Sequence, residues 1–244
     1  RFYLMPILDM KDPYAGVKFL QVASIDPGNY GKNKNAPSGP PKTGIALVLD
    51  TSISMKPYID QSLNVVRQIY DSIEKSNLAD KVGFAVVAFR SSTKARPGLE
   101  YTTKVVSDFA TAKDRKSLEN NLAKVQEATV SSHDFNEDSL AGVQAAVQDL
   151  NWGPYASRLI LLISDAGPLR STDPYASVRM GPSEVNDLAR QKGIWITALH
   201  VKSPAGRANH AYAEQSYRAL SRLSGEKSNY QAVAAPTPQA GAAQ

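Results

Sequence analysis

No cysteine occurs anywhere in the 244 residues. Disulfides, thiolate zinc sites and a cysteine nucleophile are therefore excluded within this stretch. The compartment stays open, because a cysteine-free domain folds equally well in the cytosol or the periplasm. Long apolar runs are missing too. Ile45–Leu49 and Leu159–Ile163 are about the length of a buried strand, whereas a membrane-spanning helix needs roughly 20 apolar residues. A strong excess of one charge is also lacking, since the net charge is only +5. The densest basic region (Lys94, Arg96, Lys104, Lys113, Arg115 and Lys116) contains only Tyr101 and Phe109 as aromatics. That is too sparse for stacking bases, and no nucleic-acid motif accompanies it. A solvated charged surface is the expectation there, with no nucleic-acid partner.

Several enzyme signatures are absent as well. No Gly-x-Gly-x-x-Gly follows the first apolar strand, and no Gly-x-Ser-x-Gly occurs, which removes the usual dinucleotide cradle and the nucleophile elbow. Gly39-Pro-Pro-Lys42-Thr43 is a poor phosphate loop: two prolines remove N–H donors, and a strand follows it instead of a helix. A phosphotransferase of the Asp-x-Asp type needs an acid at position 52, where Ser52 stands. His133, His200 and His210 are scattered without metal-ligand spacing. His200, ending a strand, reads as a core residue, and His133 as an exposed loop residue. A metal-assisted hydrolase stays conceivable, since a hard cation on an open oxygen site activates water, but no convincing general base accompanies it. The reading is of a chain that is not an enzyme.

What is present is an alternation of strand-like and helix-like segments. Gly44–Asp50 is a continuous apolar run, as in a strand covered on both faces. Ile59, Leu63, Val66, Ile69 and Ile73 then recur at helical spacing, predicting a helix over Pro57–Ser76. Strands are expected at Val82–Phe89, Tyr101–Val106 (weak and exposed), Leu159–Ser164, Ile194–Val201 and Tyr230–Ala234. Helices are expected around Leu118–Val125, Leu140–Leu150, Pro182–Lys192 and Tyr212–Leu223. This order implies an α/β fold: a doubly wound, mostly parallel central sheet with helices on both faces.

Residues 1–43 read as an N-terminal extended arm or hairpin followed by a Pro/Gly-rich linker. Phe2, Leu4, Ile7, Leu8, Val17, Phe19, Leu20 and Val22 are too apolar for a free tail, so the arm is expected to pack on the domain. Residues 44–235 form the domain itself, and 236–244 a flexible tail. Because the chain begins with Arg1, it reads as a piece of a longer protein.

In doubly wound sheets, ligands collect at the carboxyl ends of the strands. Asp50-Thr51-Ser52-Ile53-Ser54 lies at such an end. Three hard oxygen side chains at i, i+2 and i+4 can converge on Mg²⁺ or Mn²⁺. The plainer reading is a helix-capping turn. Asp165 follows the strand Leu159–Ser164 and can face Asp50 if the two strands are neighbours. Two carboxylates so close repel unless a cation or proton lies between them. Asn136-Glu137-Asp138-Ser139 forms a third polar cluster before a helix, where an N-cap is again the plainer reading.

With these residues in view, Asp50-x-Ser52-x-Ser54 resembles the metal-ion-dependent adhesion site of von Willebrand factor A-type domains. Ile163-Ser164-Asp165-Ala166-Gly167 resembles that family's later aspartate. The resemblance covers roughly residues 42–235. It implies that Ser52 and Ser54 hold the metal directly and that Asp50 and Asp165 hold it directly or through water. It also implies that an acidic residue of a protein partner takes the open position at the metal-bearing face. Glu137 stands where the family usually has Thr, so the third ligand is either Glu137, with Ser139 as the alternative, or a bridging water. Asp134–Ser139 and Asp165–Pro174 are similar to one bacterial branch, the C-terminal domain of a membrane-spanning serine/threonine kinase associated with type VI secretion (PpkA-type). That branch implies a periplasmic sensory or regulatory domain. The alternative is a degenerate, metal-free scaffold that contributes only interaction surface.

Overall fold

The strand that ends in Asp50 is the middle of the architecture. In a computed structural model, which describes residues 41–76, 78–111, 115–224 and 227–235, Thr43–Asp50 forms β1. The expected arm and most of its linker (1–40), and the tail (236–244), lie outside the described residues. After β1 come α1 (Lys56–Lys75), β2 (Val82–Phe89), β3 (Thr103–Thr111), α2 (Arg115–Leu122) and α3 (Ser139–Asp149). Then follow β4 (Ser157–Ser164), α4 (Pro182–Gln191), β5 (Ile194–Lys202), α5 (His210–Leu220), β6 (Arg222–Ser224), β7 (Lys227–Ser228) and β8 (Tyr230–Ala234).

Six strands make one sheet in the order β3-β2-β1-β4-β5-β8. Strands β1, β2, β4, β5 and β8 are parallel, and β3 alone runs antiparallel at the edge. Successive side chains of a strand point to opposite faces, so β1 feeds two cores. Ala46 and Val48 meet α3, α4 and α5 on one face, while Leu47 and Leu49 meet α1 and α2 on the other. Every residue of β2 is buried, which is why its sequence reads as unbroken apolar. Helix α1 presents Ile59, Leu63, Val66 and Tyr70 to its core at the spacing expected of one helical face. Each such aliphatic side chain stabilises the fold by about 1.5–3 kcal/mol.

Some elements differ from their sequence pattern. Strand β3 covers Thr103–Thr111, later and longer than Tyr101–Val106, and carries irregular register against β2. Its extension is anchored by Phe109, whose ring lies 4.7 Å from Trp152 and 4.5 Å from Tyr155, centroid to centroid. Helix α2 stops at Leu122, and Val125 joins the core from the turn that follows. Helix α5 ends at Leu220, short of the expected Leu223. The chain instead enters the small β6–β7 ribbon, which Asn186 holds through Nδ2 bonds to the carbonyls of Leu220 and Arg222. Helix α4 is terminated by Gly193 at φ 68°, a left-handed conformation that glycine adopts without strain.

Candidate metal centre

Because β1 and β4 are hydrogen-bonded neighbours in register, with Leu49 opposite Ile163, Asp50 and Asp165 leave the sheet side by side. Each carboxylate is then fixed by hydroxyls. Ser164 Oγ donates to Asp50 Oδ2 (2.6 Å), and the Ser52 N–H donates to Asp50 Oδ1 (2.8 Å). Ser54 Oγ donates to Asp165 Oδ1 (3.0 Å), and Ser203 Oγ to Asp165 Oδ2 (2.7 Å). Ser52 Oγ and Ser54 Oγ stand 3.1 Å apart. The loop is tight because Ile53–Met55 closes a 3-10 turn at once. Thr51 nails it down, its hydroxyl on the Phe89 carbonyl (3.0 Å) and its carbonyl accepting from the Ala128 N–H (2.8 Å).

Glu137 comes in from the third loop. Its backbone pairs with the segment after Asp165, Glu137 N–H to the Gly167 carbonyl (3.0 Å) and Leu169 N–H to the Glu137 carbonyl (2.8 Å). Its side chain is 3% exposed. Oε1 accepts from Ser132 Oγ (2.7 Å), while Oε2 is buried without a hydrogen-bond partner. Ser139 is also buried, but its hydroxyl is engaged by the phenol of Tyr217 (3.3 Å). Asp138 reaches away from the cluster, its Oδ2 accepting from the Ser177 N–H (2.9 Å).

Three acids in a dry environment are in conflict. Burial, then the neighbouring Asp165 carboxylate, pushes Asp50 up to about 7, against the bonds from Ser164 and Ser52. Burial, then Asp50, drives Glu137 well above the ordinary carboxylate range. Burial raises Asp165, opposed by Ser203 and Ser54. Desolvation and like charge both disfavour ionisation, so the cluster without a cation retains protons.

The donor set suits a small hard cation. Mg²⁺ binds oxygens at about 2.0–2.1 Å in an octahedron, which puts adjacent ligand oxygens about 2.9 Å apart. Ser54 Oγ has that spacing to Ser52 Oγ (3.1 Å) and to Asp165 Oδ1 (3.0 Å). Asp50, with both oxygens hydrogen-bonded, and Glu137 supply negative charge, and Glu137 Oε2 is a lone pair with nothing else to meet. Among the described residues no group of three His, Cys, Asp or Glu side chains is placed to hold a metal unaided.

Residues outside the Asp-x-Ser-x-Ser signature turn out to shape the site. Ser164, Ser203 and Tyr217 orient the carboxylates and the Ala166 turn, to whose carbonyl the Tyr217 hydroxyl donates. Arg90 is buried and braces the rim, donating to the Leu99 and Gln126 carbonyls and to Glu100. His200 is fully buried and hydrogen-bonded to Tyr230 (3.0 Å), with burial lowering its pKa to about 4. His133 is 60% exposed beside Asp134. These placements match the readings of His200 as a core residue and of His133 as an exposed loop residue.

Residues 44–240 match the family described as von Willebrand factor type A domain. No curated protein matches the chain. Among solved structures, the pilus adhesin SpaC of Lactobacillus rhamnosus GG is similar over 79% of this chain, with a TM-score of 0.59 and 13% identity. The chain spans only 28% of that adhesin's length. The SpRpn10 VWA domain is similar over 81% of this chain and 90% of its own, with a TM-score of 0.52 and 12% identity. At these identities the likeness is one of fold.

Proposed function

The chain belongs to the von Willebrand factor type A domain family, and we propose that it is a metal-dependent protein-binding module. Domains of this family are in general interaction modules and not catalysts. In this reading Ser52 and Ser54 hold Mg²⁺ or Mn²⁺ directly, Asp50, Asp165 and Glu137 hold it directly or through water, and a carboxylate of a partner protein completes the coordination. The observation that carries it is the spacing of Ser52 Oγ, Ser54 Oγ and Asp165 Oδ1 beside three buried, mutually repelling carboxylates. Bound, the cation would supply the positive charge that lets these acids ionise and that attracts an anionic group. Ile53 lies between the two serines with its side chain 41% exposed, an apolar contact beside the polar one, as protein-binding surfaces have.

The finer placement rests on the resemblance of Asp134–Ser139 and Asp165–Pro174 to the type VI secretion-associated kinase branch. We infer from it a periplasmic regulatory domain joined to a cytoplasmic serine/threonine kinase.

One observation favours a second reading, a metal-free scaffold. The internal bonds of Ser54 and Ser164 already satisfy much of the site. Thermal unfolding with and without Mg²⁺ or Mn²⁺ separates the two. A ligand of the native state at 100 times its Kd stabilises by about 2.7 kcal/mol, about 5–10 °C for a domain of this size. No shift at millimolar metal supports the scaffold.

A further inference from the structure

Between β4 and α4 the chain makes a long excursion, residues 165–181, without a helix or strand of its own. Loops of this length inside a compact domain are uncommon and usually functional. This one is built firmly. Asp138, buried, accepts from the Ser177 N–H, and Arg179 donates to the carbonyls of Ser171, Asp173 and Pro174. Beneath it lies a cavity of about 400 Å³ whose wall includes Arg170, Ser171, Thr172, Gly181, Tyr212 and Ser216.

Arg170 is the only charged residue in that lining. Its guanidinium lies 4.2 Å from the centre of the Tyr212 ring. Tyr212 is itself held by its hydroxyl on the Pro168 carbonyl (2.8 Å). No carboxylate among the described residues pairs with Arg170. An arginine stacked on an aromatic face and left without an acid is preorganised for bidentate binding of a carboxylate. The cavity also meets the start of α4 at Gly181 and Pro182, where Glu184 Oε2 already accepts from the Gly181 N–H (2.6 Å), so Arg170 is the group that the cavity offers to an incoming acid.

We propose that this cavity is a second anchor for an acidic side chain of the partner protein, with Arg170 as its specificity-determining residue. The position of the rest of that partner rests on the metal-centre reading. Arg170 is five residues beyond Asp165, so at most roughly 17 Å of extended chain separates them. One acidic segment reaches both.

The test uses the peptide acetyl-Gly-Gly-Glu-Gly-Gly-amide, followed by amide and arginine Nε chemical shifts of the ¹⁵N-labelled chain in EDTA. Saturable shifts at Leu169–Thr172, Gly181 and Gln215 are expected. Affinity should fall at least tenfold for Arg170→Glu and for the peptide with Gln in place of Glu. Arg170 is exposed, and the variant's unperturbed remaining spectrum shows that it folds. No saturable shift at these residues, or equal binding of the Gln peptide, overturns the anchor. Because EDTA removes the metal, that result is independent of a parallel Mn²⁺ titration, on which the metal reading stands or falls by itself.

Discussion

Ser54 Oγ stands 3.0 Å from Asp165 Oδ1 although 111 residues separate them in the chain. The contact exists because β1 and β4 are parallel neighbours, and it joins the two halves of the site before any ligand arrives. The like charges gathered there carry a pH signature. Asp50 is raised in the folded state to about 7 from an ordinary value of 3.8, so between those values the native chain holds a proton that the unfolded chain has lost. A raised folded pKa gives stability that is complete below the unfolded value and is lost as pH rises through the folded one. The metal-free domain should therefore lose the Asp50 contribution from about pH 4 to about pH 7. The raised Glu137 and Asp165 act in the same sense, whereas buried His200, lowered to about 4, opposes them up to its ordinary 6.5. The Asp50 part is read as the difference in slope between the parent and Asp50→Asn. Urea unfolding in EDTA across that range checks the sign, and saturating Mg²⁺ should flatten the slope.

Replacing Asp50 by Asn removes a buried negative charge and keeps the shape. In EDTA at pH 8, Asp50→Asn should melt a few degrees above the parent, while its response to Mn²⁺ disappears. A lower melting temperature in EDTA would mean that the charge is compensated by something other than a cation.

Glu137 Oε2 is buried without a hydrogen-bond partner, and Glu137 is the proposed third-loop ligand. Two unit charges about 4 Å apart are worth roughly 4 kcal/mol at an effective dielectric near 20, and a divalent cation doubles that. As a ligand, Glu137 should make metal binding tighter and the site less attractive to an acidic partner. Glu137→Thr should then weaken Mg²⁺ at least tenfold by titration calorimetry. Unchanged or tighter binding would place Glu137 outside the coordination shell.

Gly206 approaches Asp165 so closely that a Cβ would lie 2.9 Å from the Asp165 carbonyl oxygen. Its N–H also holds Ser203 Oγ (3.1 Å), which in turn holds Asp165. Gly206→Ala should cost about 1–3 kcal/mol of stability by overpacking and weaken metal binding as well. Denaturant unfolding and a Mn²⁺ titration of the same preparation read both effects.

The ends of β1 and β4 were legible because an apolar run stopping at an acid is a local pattern, and parallel topology then brought Asp50 and Asp165 together. Ser164, Ser203 and Tyr217 were not. Each is a single polar residue whose role comes from a contact 38 to 114 residues away. Ser139 had a legible position at the start of α3 but not a legible direction, since only packing of α5 brings the Tyr217 hydroxyl to it. The extension of β3 to Thr111 has a similar origin. Phe109 looks like an isolated aromatic until Trp152 and Tyr155 close around it.

The proposed divalent-cation site is formed by Asp50, Ser52, Ser54 and Asp165. Calorimetric titration of Mn²⁺ into the parent chain and into Asp50→Ala, with folding of the variant checked by circular dichroism, tests it most directly. One saturable site is expected in the parent, with a loss of affinity of at least a hundredfold in the folded variant. No binding to the parent, or equal binding to a folded Asp50→Ala, would contradict it.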